Sequence, residues 1–488
     1  MTVASEGAGG GEPSPAEEQL YAPRRKFYPM AITGVFRTLK WRIMVVTLAI
    51  YYITPWLRWD RGPHAPDQAV LIDLAGRRFY FFFIEIWPQE FYYIAGLLIM
   101  AGVGLFLITS TVGRAWCGYA CPQTVWTDVF LHVERWIDGD RNAQVRLENQ
   151  KWDFDKIRKR VAKHGAWLLI GAATGGAWIF YFADAPTLLV NLFTGEAPLV
   201  AYSTVAILTA TTYIFGGLLR EQVCIYMCPW PRIQVAMLDA DSLVVTYRDY
   251  RGEPRSHRRK HADPGTLGDC IDCNKCVAVC PMGIDIRDGQ QLACITCALC
   301  IDACDEVMDR TGRPRGLIDY DTLRNDASAR EGKPANVELS TFVRPRTIFY
   351  TVLWTLAGLM IAFSLFTRDR LDLNVLRDRN PVFVKLSDGS IRNGYTIKVL
   401  NMELRPRKFR LSVSGIDGAL MTVAGVEAPP APILDIDAKA DVLKETKIFV
   451  VTPPGALDGE STVLTFSVRD LGGDEEASYT GVFRGPEP

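Results

Sequence analysis

CIDCNKCVAVCP, residues 270–281, sets four cysteines at the spacing C-x2-C-x2-C-x3-C-P, and CITCALCIDAC, residues 294–304, repeats it at once. In such a pair of runs, three close thiolates wrap one face of a cubane iron–sulfur centre and the fourth comes from the other run. The predicted sets are Cys270, Cys273, Cys276 and Cys304 for one [4Fe–4S] cluster, and Cys294, Cys297, Cys300 and Cys280 for the other. Zinc also takes four cysteines, but two complete copies at this spacing favour clusters. Asp305 stands where the second run would often carry proline, a departure that removes no ligand.

Eight of the twelve cysteines are thereby used. The other four form two matching motifs, CGYACP from Cys117 to Cys121 and CIYMCP from Cys224 to Cys228. Each ends an apolar run and precedes an amphipathic stretch. Proline disfavours α conformation in the residue before it and suits a first helical turn, so each motif is expected in a turn just before a helix N-terminus. There the helix dipole, with Arg114 and Arg220 nearby, is expected to favour thiolate. Soft thiolates select Cu(I), zinc or iron–sulfur centres, and Met227 would add a thioether. Cys117, Cys121, Cys224 and Cys228 are the candidate catalytic and copper-binding residues, with Met227 as a further copper ligand. Packing of helix ends by small buried cysteines is the plainer alternative.

The surrounding chain reads as membrane. Of its 488 residues, 49% are hydrophobic, and the formal net charge of −1 gives no general attraction to nucleic acid. About 20 apolar residues span a bilayer, and five stretches qualify, near 42–57, 90–111, 165–184, 199–219 and 346–367, the first being the shortest and interrupted by Thr54 and Pro55. The aromatic stretch 79–88 is expected in the membrane interface. Arg and Lys crowd the segment before the first span and the loops 112–164 and 221–345, whereas 185–198 has none. Despite Arg58, Arg61, Arg77 and Arg78 in the loop after the first span, the balance predicts a cytoplasmic N-terminus and an external C-terminal tail. All twelve cysteines then fall on or near the reducing side, as ligands or redox groups rather than disulfides.

The expected organisation is as follows. Residues 1–41 form a basic N-terminal segment, its first 22 residues disordered and without a cleaved signal peptide. Residues 42–220 form a four-span membrane domain with the first CxxxCP motif. Residues 221–345 form a cytoplasmic domain with the second motif and the ferredoxin-like insert, 346–367 a fifth span, and 368–488 an all-β tail. In that tail, short alternating strands such as YTIKVL and TVLTFSV, punctuated by SDGS, PPG and LGGD, predict an immunoglobulin-like sandwich. The membrane part resembles a weak internal duplication, a helical hairpin ending in CGYACP and another ending in CIYMCP.

None of the five histidines, His64, His132, His164, His257 and His261, lies in an apolar span, which leaves no bis-histidine haem site there. His257 and His261 sit in RSHRRKH, read as a solvated or lipid-facing basic patch. Glu85 and Glu90 flank WPQ near the outer side, read as interfacial carboxylates with a quinone or proton path as the alternative.

Together WCGYACPQTVW, CIYMCPWPRIQ, VTYRDYRGEPR, GDCIDCNKCV and QQLACITCALCIDAC closely resemble the FixG/RdxA/CcoG family of cytochrome c oxidase accessory proteins, and the resemblance runs through most of the chain. It implies a multi-pass protein of the bacterial inner membrane that reduces Cu(II) to Cu(I) for assembly of a cbb-type oxidase, with the CxxxCP cysteines matching the family's motifs. The implied partners are oxidase subunits or copper chaperones, the lipid bilayer and an electron donor, quinol or a cytoplasmic reductant; the cofactors are two [4Fe–4S] clusters, with copper as substrate or bound ion. Two other functions remain open: a quinol dehydrogenase-type polyferredoxin serving a partner reductase, and a non-catalytic assembly scaffold.

Overall fold

In a computed structural model of the protein, the structure describes residues 26–63, 65–256, 267–333, 337–338, 341–457 and 459–486. The expected disorder of residues 1–22 and the placement of His64, His257 and His261 lie outside them. The chain divides into two compact units, one made of 1–48, 105–174 and 206–348, the other of 49–104, 175–205 and 349–488.

The second unit carries the β tail. Its two antiparallel sheets have the strand orders Leu420–Val423, Val442–Thr452, Ile391–Asn401, Leu371–Arg377 (with Val384–Lys385 also on Ile391–Asn401) and Ile433–Ala438, Arg407–Ser414, Ser461–Asp470, Glu476–Arg484. Alternation along Ile391–Asn401 and Ser461–Asp470 sends Ile397, Val399, Leu464, Phe466 and Val468 inward, where they meet Phe409, Leu411, Ile448 and Val450, all fully buried. A period of two with one apolar face is what a half-buried strand requires. Tyr395 packs edge-on to Phe466 at 5.0 Å and donates its hydroxyl to the Val482 carbonyl at 3.0 Å.

The same unit holds a hairpin pair of apolar helices. Tyr93 Oη lies 3.1 Å from Ser364 Oγ. A Cβ built on Gly96 would meet Ile361 at 2.8 Å, and one on Gly104 would meet Trp354 at 3.1 Å. Small residues thus let the helices Tyr92–Val112 and Pro345–Phe366 approach closely, the usual solution where no hydrophobic drive separates helix from lipid. Residues 79–88, expected in the interface, begin in a small antiparallel sheet of Val70–Asp73, Arg78–Phe81 and Ile84–Ile86. Glu90 accepts from the Trp87 backbone N–H at 3.1 Å and pairs with Arg368 at 3.1 Å.

Among the described residues, three helices are long and apolar enough to cross a membrane: Pro88–Val112, Leu199–Leu219 and Pro345–Phe366. The other two expected spans are helices as well, Val35–Ile53 and Phe154–Ile179, but each begins in charge. In the first, Arg37 and Lys40 are buried against Asp128, at 2.9 and 3.9 Å, and so serve packing rather than lipid.

The first unit holds every cysteine. Its two cysteine runs lie on irregular loops that enter the short helix Lys275–Val279 and the longer helix Leu299–Thr311. The CxxxCP motifs sit at helix junctions: Cys117 on the short helix Ala115–Tyr119, Cys121 as the extended cap of Pro122–Asp138, Cys224 in a π-helical turn Val223–Met227, and Cys228 just before Pro229 and the helix Trp230–Met237.

Candidate iron–sulfur and copper centre

Two closed cavities organise the cysteine runs. One is lined by Cys270, Cys273, Cys276 and Cys304, the other by Cys280, Cys294, Cys297 and Cys300, and Cys276 lines both. These are the two crossed sets that the spacing predicts. The backbone repeats as well. Asp272 and Asn274 in the first run and Thr296 and Ala298 in the second, at matching positions, all have φ between +51° and +60°. Left-handed geometry is uncommon outside glycine, and for Thr and Ala it carries a steric cost. Two loops that adopt it at the same two places are folded around a common object. Burial pushes the Cys276 thiol up to about 11 and those of Cys280 and Cys304 to about 12, so thiolates there need a cationic partner. Four cysteines lining a cavity, Cys276 buried and Cys273 exposed at its rim, fit a cysteine-ligated cluster near the surface. Among the described residues, no three His, Cys, Asp or Glu side chains converge on a single-ion site.

The CxxxCP motifs lie against the second of these cavities. Cys117 is buried in one apolar cluster with Val279, Met282, Ile295, Cys297 and Leu299, and Cys224 and Cys280 pack on it. A Cβ on Gly118 would stand 2.7 Å from the Ile295 carbonyl oxygen and 3.0 Å from Cys297 Cα, so the backbones of the first CxxxCP turn and of the CITC loop are in contact. Tyr119 donates to the Cys297 carbonyl at 3.2 Å, and Tyr320 to that of Thr296 at 2.6 Å. Gln234, fully buried on the helix after the second motif, accepts from the Cys117 thiol at 2.9 Å and thereby ties the two motifs together.

The four thiols share one electrostatic neighbourhood, since Cys121, Cys117 and Cys228 all act on Cys224. Two of them depart from the expected thiolate. Burial pushes Cys117 up to about 11 and Cys224 up to about 12, outweighing Arg114. Arg220 does not serve the thiols: its guanidinium donates to Glu134 at 2.7 Å and to the Gly217 carbonyl at 2.8 Å. Glu134 also receives Lys163 at 3.0 Å, in a network that is almost wholly buried. Met227 is 55% exposed, directed away from the packed side of its turn.

Gly118, Tyr119, Tyr320 and Gln234 are functional candidates that the motif spacing does not single out. Gly118 and Tyr119 are the inner residues of CGYACP, and their type hints at close approach. Gln234 carries no such signal. Glu85 pairs with Arg78 at 3.5 Å and Glu90 with Arg368, and both are buried rather than open to water as interfacial carboxylates would be.

Crossed cysteine cavities of ferredoxin type, in a chain with helices apolar enough to cross a membrane, define a membrane iron–sulfur protein. Residues 219–323 match the 4Fe-4S dicluster domain, 94–139 a 4Fe-4S binding domain, and 361–486 the IG-like fold at the C-terminal of FixG. The chain is 57% identical to the nitrogen fixation protein FixG of Rhizobium meliloti (strain 1021), over 96% of its own length and 94% of that protein. It is 55% identical to protein RdxB of Cereibacter sphaeroides, covering 97% and 99%, and 54% identical to protein RdxA of the same organism, covering 95% and 98%. The chain belongs to the FixG/RdxA/RdxB family.

Proposed function

We propose that the protein is a cupric reductase of the bacterial inner membrane, taking Cu(II) + e⁻ to Cu(I) for the copper centre of a cbb-type cytochrome c oxidase. Cys270, Cys273, Cys276 and Cys304 would hold one [4Fe–4S] cluster and Cys280, Cys294, Cys297 and Cys300 the other. Such clusters, when bound, supply one electron at a time. The observation that carries the reading is the seat of the CxxxCP motifs on the second cysteine loop, with Gly118 against Ile295 and Cys297. Val279, Met282, Ile295 and Leu299 exclude water from the junction. Cys117 and Cys224, kept as thiols by burial, would give up their protons to solvent as a soft metal binds, because ligation requires thiolate.

The reading includes five spans, with the N-terminus and cysteine loops cytoplasmic and the sandwich periplasmic, facing oxidase subunits or copper chaperones. In support, the chain passes from one compact unit to the other five times: at 48/49, 104/105, 174/175, 205/206 and 348/349. Every passage lies inside a helix.

The test is an anaerobic titration. The purified protein is reduced, freed of reductant and given one equivalent of Cu(II), while the reduced-cluster EPR signal and chelator-trapped Cu(I) are followed. The wild type should reoxidise with matching Cu(I) yield, and a variant with Cys117, Cys121, Cys224 and Cys228 changed to Ala should be slow. Clusters that ignore Cu(II) in both proteins would end the cupric reading.

A further inference from the structure

The second unit contains a cavity of about 490 Å³ that the redox reading does not use. This is the size of small-molecule pockets, about 300–1,000 Å³. Trp87 on its wall immediately precedes the helix Pro88–Val112, and Arg368 and Arg370 follow the end of Pro345–Phe366. The cavity therefore opens where two membrane-crossing helices leave the hydrocarbon, at headgroup level. Trp59 and Trp87 at its walls are the residues that favour this layer.

Four guanidiniums line it, those of Arg61, Arg368, Arg370 and Arg405. Arg368 is neutralised by Glu90, and Arg405 by Glu403. Arg61 is fixed in place by donating to the carbonyls of Phe82, Pro66, Gln68 and Ala69 at 2.6 to 2.8 Å. These bonds leave it one free N–H; among the described residues no carboxylate lies within ion-pair distance, and Glu85 and Asp67 act on its charge only from farther away. Arg370 likewise has no carboxylate partner among the described residues and is exposed. Of the lining carboxylates, Glu403 is taken by Arg405, Glu85 shares Arg78 with the closer Asp441, and Asp60 accepts from the Gly62 N–H at 2.8 Å. Arg370 is thus the lining guanidinium with an open fork of donors, and the charge of Arg61 stands beside it.

We infer that this cavity is an anion site for a phosphate group, filled by the headgroup of a bilayer phospholipid. Arginine suits phosphate through its planar fork of donors, and basic pockets beside membrane helices take lipid headgroups in this way. Bound there, a lipid would tether the hairpin sheet and the loop Met402–Arg405 to the membrane surface.

Native mass spectrometry of the full-length protein, released in mild detergent and delipidated stepwise, tests the site. The wild type should retain one phospholipid per chain after bulk lipid is gone. Arg370→Glu, at an exposed position where folding is not at risk, should reduce that occupancy several-fold, and Arg370→Lys should largely restore it. Delipidated protein is then offered phosphatidylglycerol or inorganic phosphate, the latter followed by ³¹P line broadening. Rebinding of phosphatidylglycerol that R370E lacks identifies lipid as the source. Broadening by inorganic phosphate alone, absent in R370E, supports the same site with free phosphate as its ligand. Equal lipid retention in wild type and R370E, with no effect on the phosphate line, overturns the inference.

Discussion

Gly118 is the residue at which the two halves of the proposed centre touch. Any Cβ there falls within 2.7 Å of the Ile295 oxygen, a backbone atom that cannot swing aside. Gly118→Val must push the CxxxCP turn off the CITC loop, at an overpacking cost of about 1–3 kcal/mol. The cysteines of both cavities are untouched, so iron and sulfide content should match the wild type while Cu(II)-driven reoxidation slows several-fold. Unchanged reoxidation with intact clusters would remove the contact from the electron route. Gln234 makes the complementary case. Its side chain is fully buried between the Cys117 thiol and Thr109 Oγ1, at 2.9 and 3.3 Å. Gln234→Leu keeps the bulk and strips the partners of two buried groups, each worth about 1–3 kcal/mol when orphaned. Thermal unfolding in detergent should show the loss, and Cys117 should be alkylated faster because nothing then holds it against the second motif.

At the scale of elements, the helix Leu299–Thr311 is decisive, because it carries Cys300 and Cys304, which line different cavities. In the first run the helix Lys275–Val279 stops at Cys280 and Pro281 follows. In the second, Asp305 continues the helix and accepts from the Gly316 N–H at 3.0 Å. Asp305→Pro would break the interior at a cost of about 3 kcal/mol or more. It should displace Cys304 and reduce iron and sulfide content measurably, whereas Asp305→Asn should keep both. The ion cluster on the helix Pro122–Asp138 makes a pH prediction. Burial pushes the Glu134 carboxyl up, but Arg220 and Lys163 together hold it below its ordinary value. A depressed folded value means stability that is present above the unfolded value, about 4.3, and lost as pH falls through the folded one. Melting temperature should drop steeply below about pH 4 in the wild type. Glu134→Gln should be destabilised at neutral pH, by about 3–5 kcal/mol for a broken buried pair, and lose less on acidification. These elements also show what sequence can carry. The crossed cysteine sets were legible because cluster ligation is encoded in local spacing, and the sandwich because alternation is a local property of strands such as Ile391–Asn401. The choice of Glu134 by Arg220 and of Gln234 by Cys117 was not legible, since packing brings these residues together across 86 and 117 positions. Met227 adjoins Cys228 in sequence, and its exposure is likewise set by packing that spacing does not encode.

For the whole molecule, the part hardest to read from sequence is which helices cross the bilayer. Val35–Ile53 and Phe154–Ile179 mix apolar runs with Arg and Lys that pair inside the protein, and hydropathy registers the charge but not the partner. Three helices among the described residues meet the length and hydropathy that a crossing needs, and the proposed topology has five. Both odd counts put the termini on opposite sides, but only five crossings also put residues 112–164 and 221–345 on the same side as the N-terminus. This is testable with thiol labels, because all twelve native cysteines lie between Cys117 and Cys304 and the sandwich has none. Lys408→Cys places a thiol on a sandwich side chain that is 74% exposed, and Arg310→Cys places one on a helix side chain of the cysteine-loop unit that is 73% exposed. In intact cells a membrane-impermeant maleimide should label the Lys408 variant and leave the Arg310 variant unreacted until the membrane is opened. Labelling of the Arg310 variant in intact cells would place the cysteine loops outside, where an oxidising milieu favours disulfides over free thiols, and would remove the cytoplasmic electron source on which the reductase reading depends.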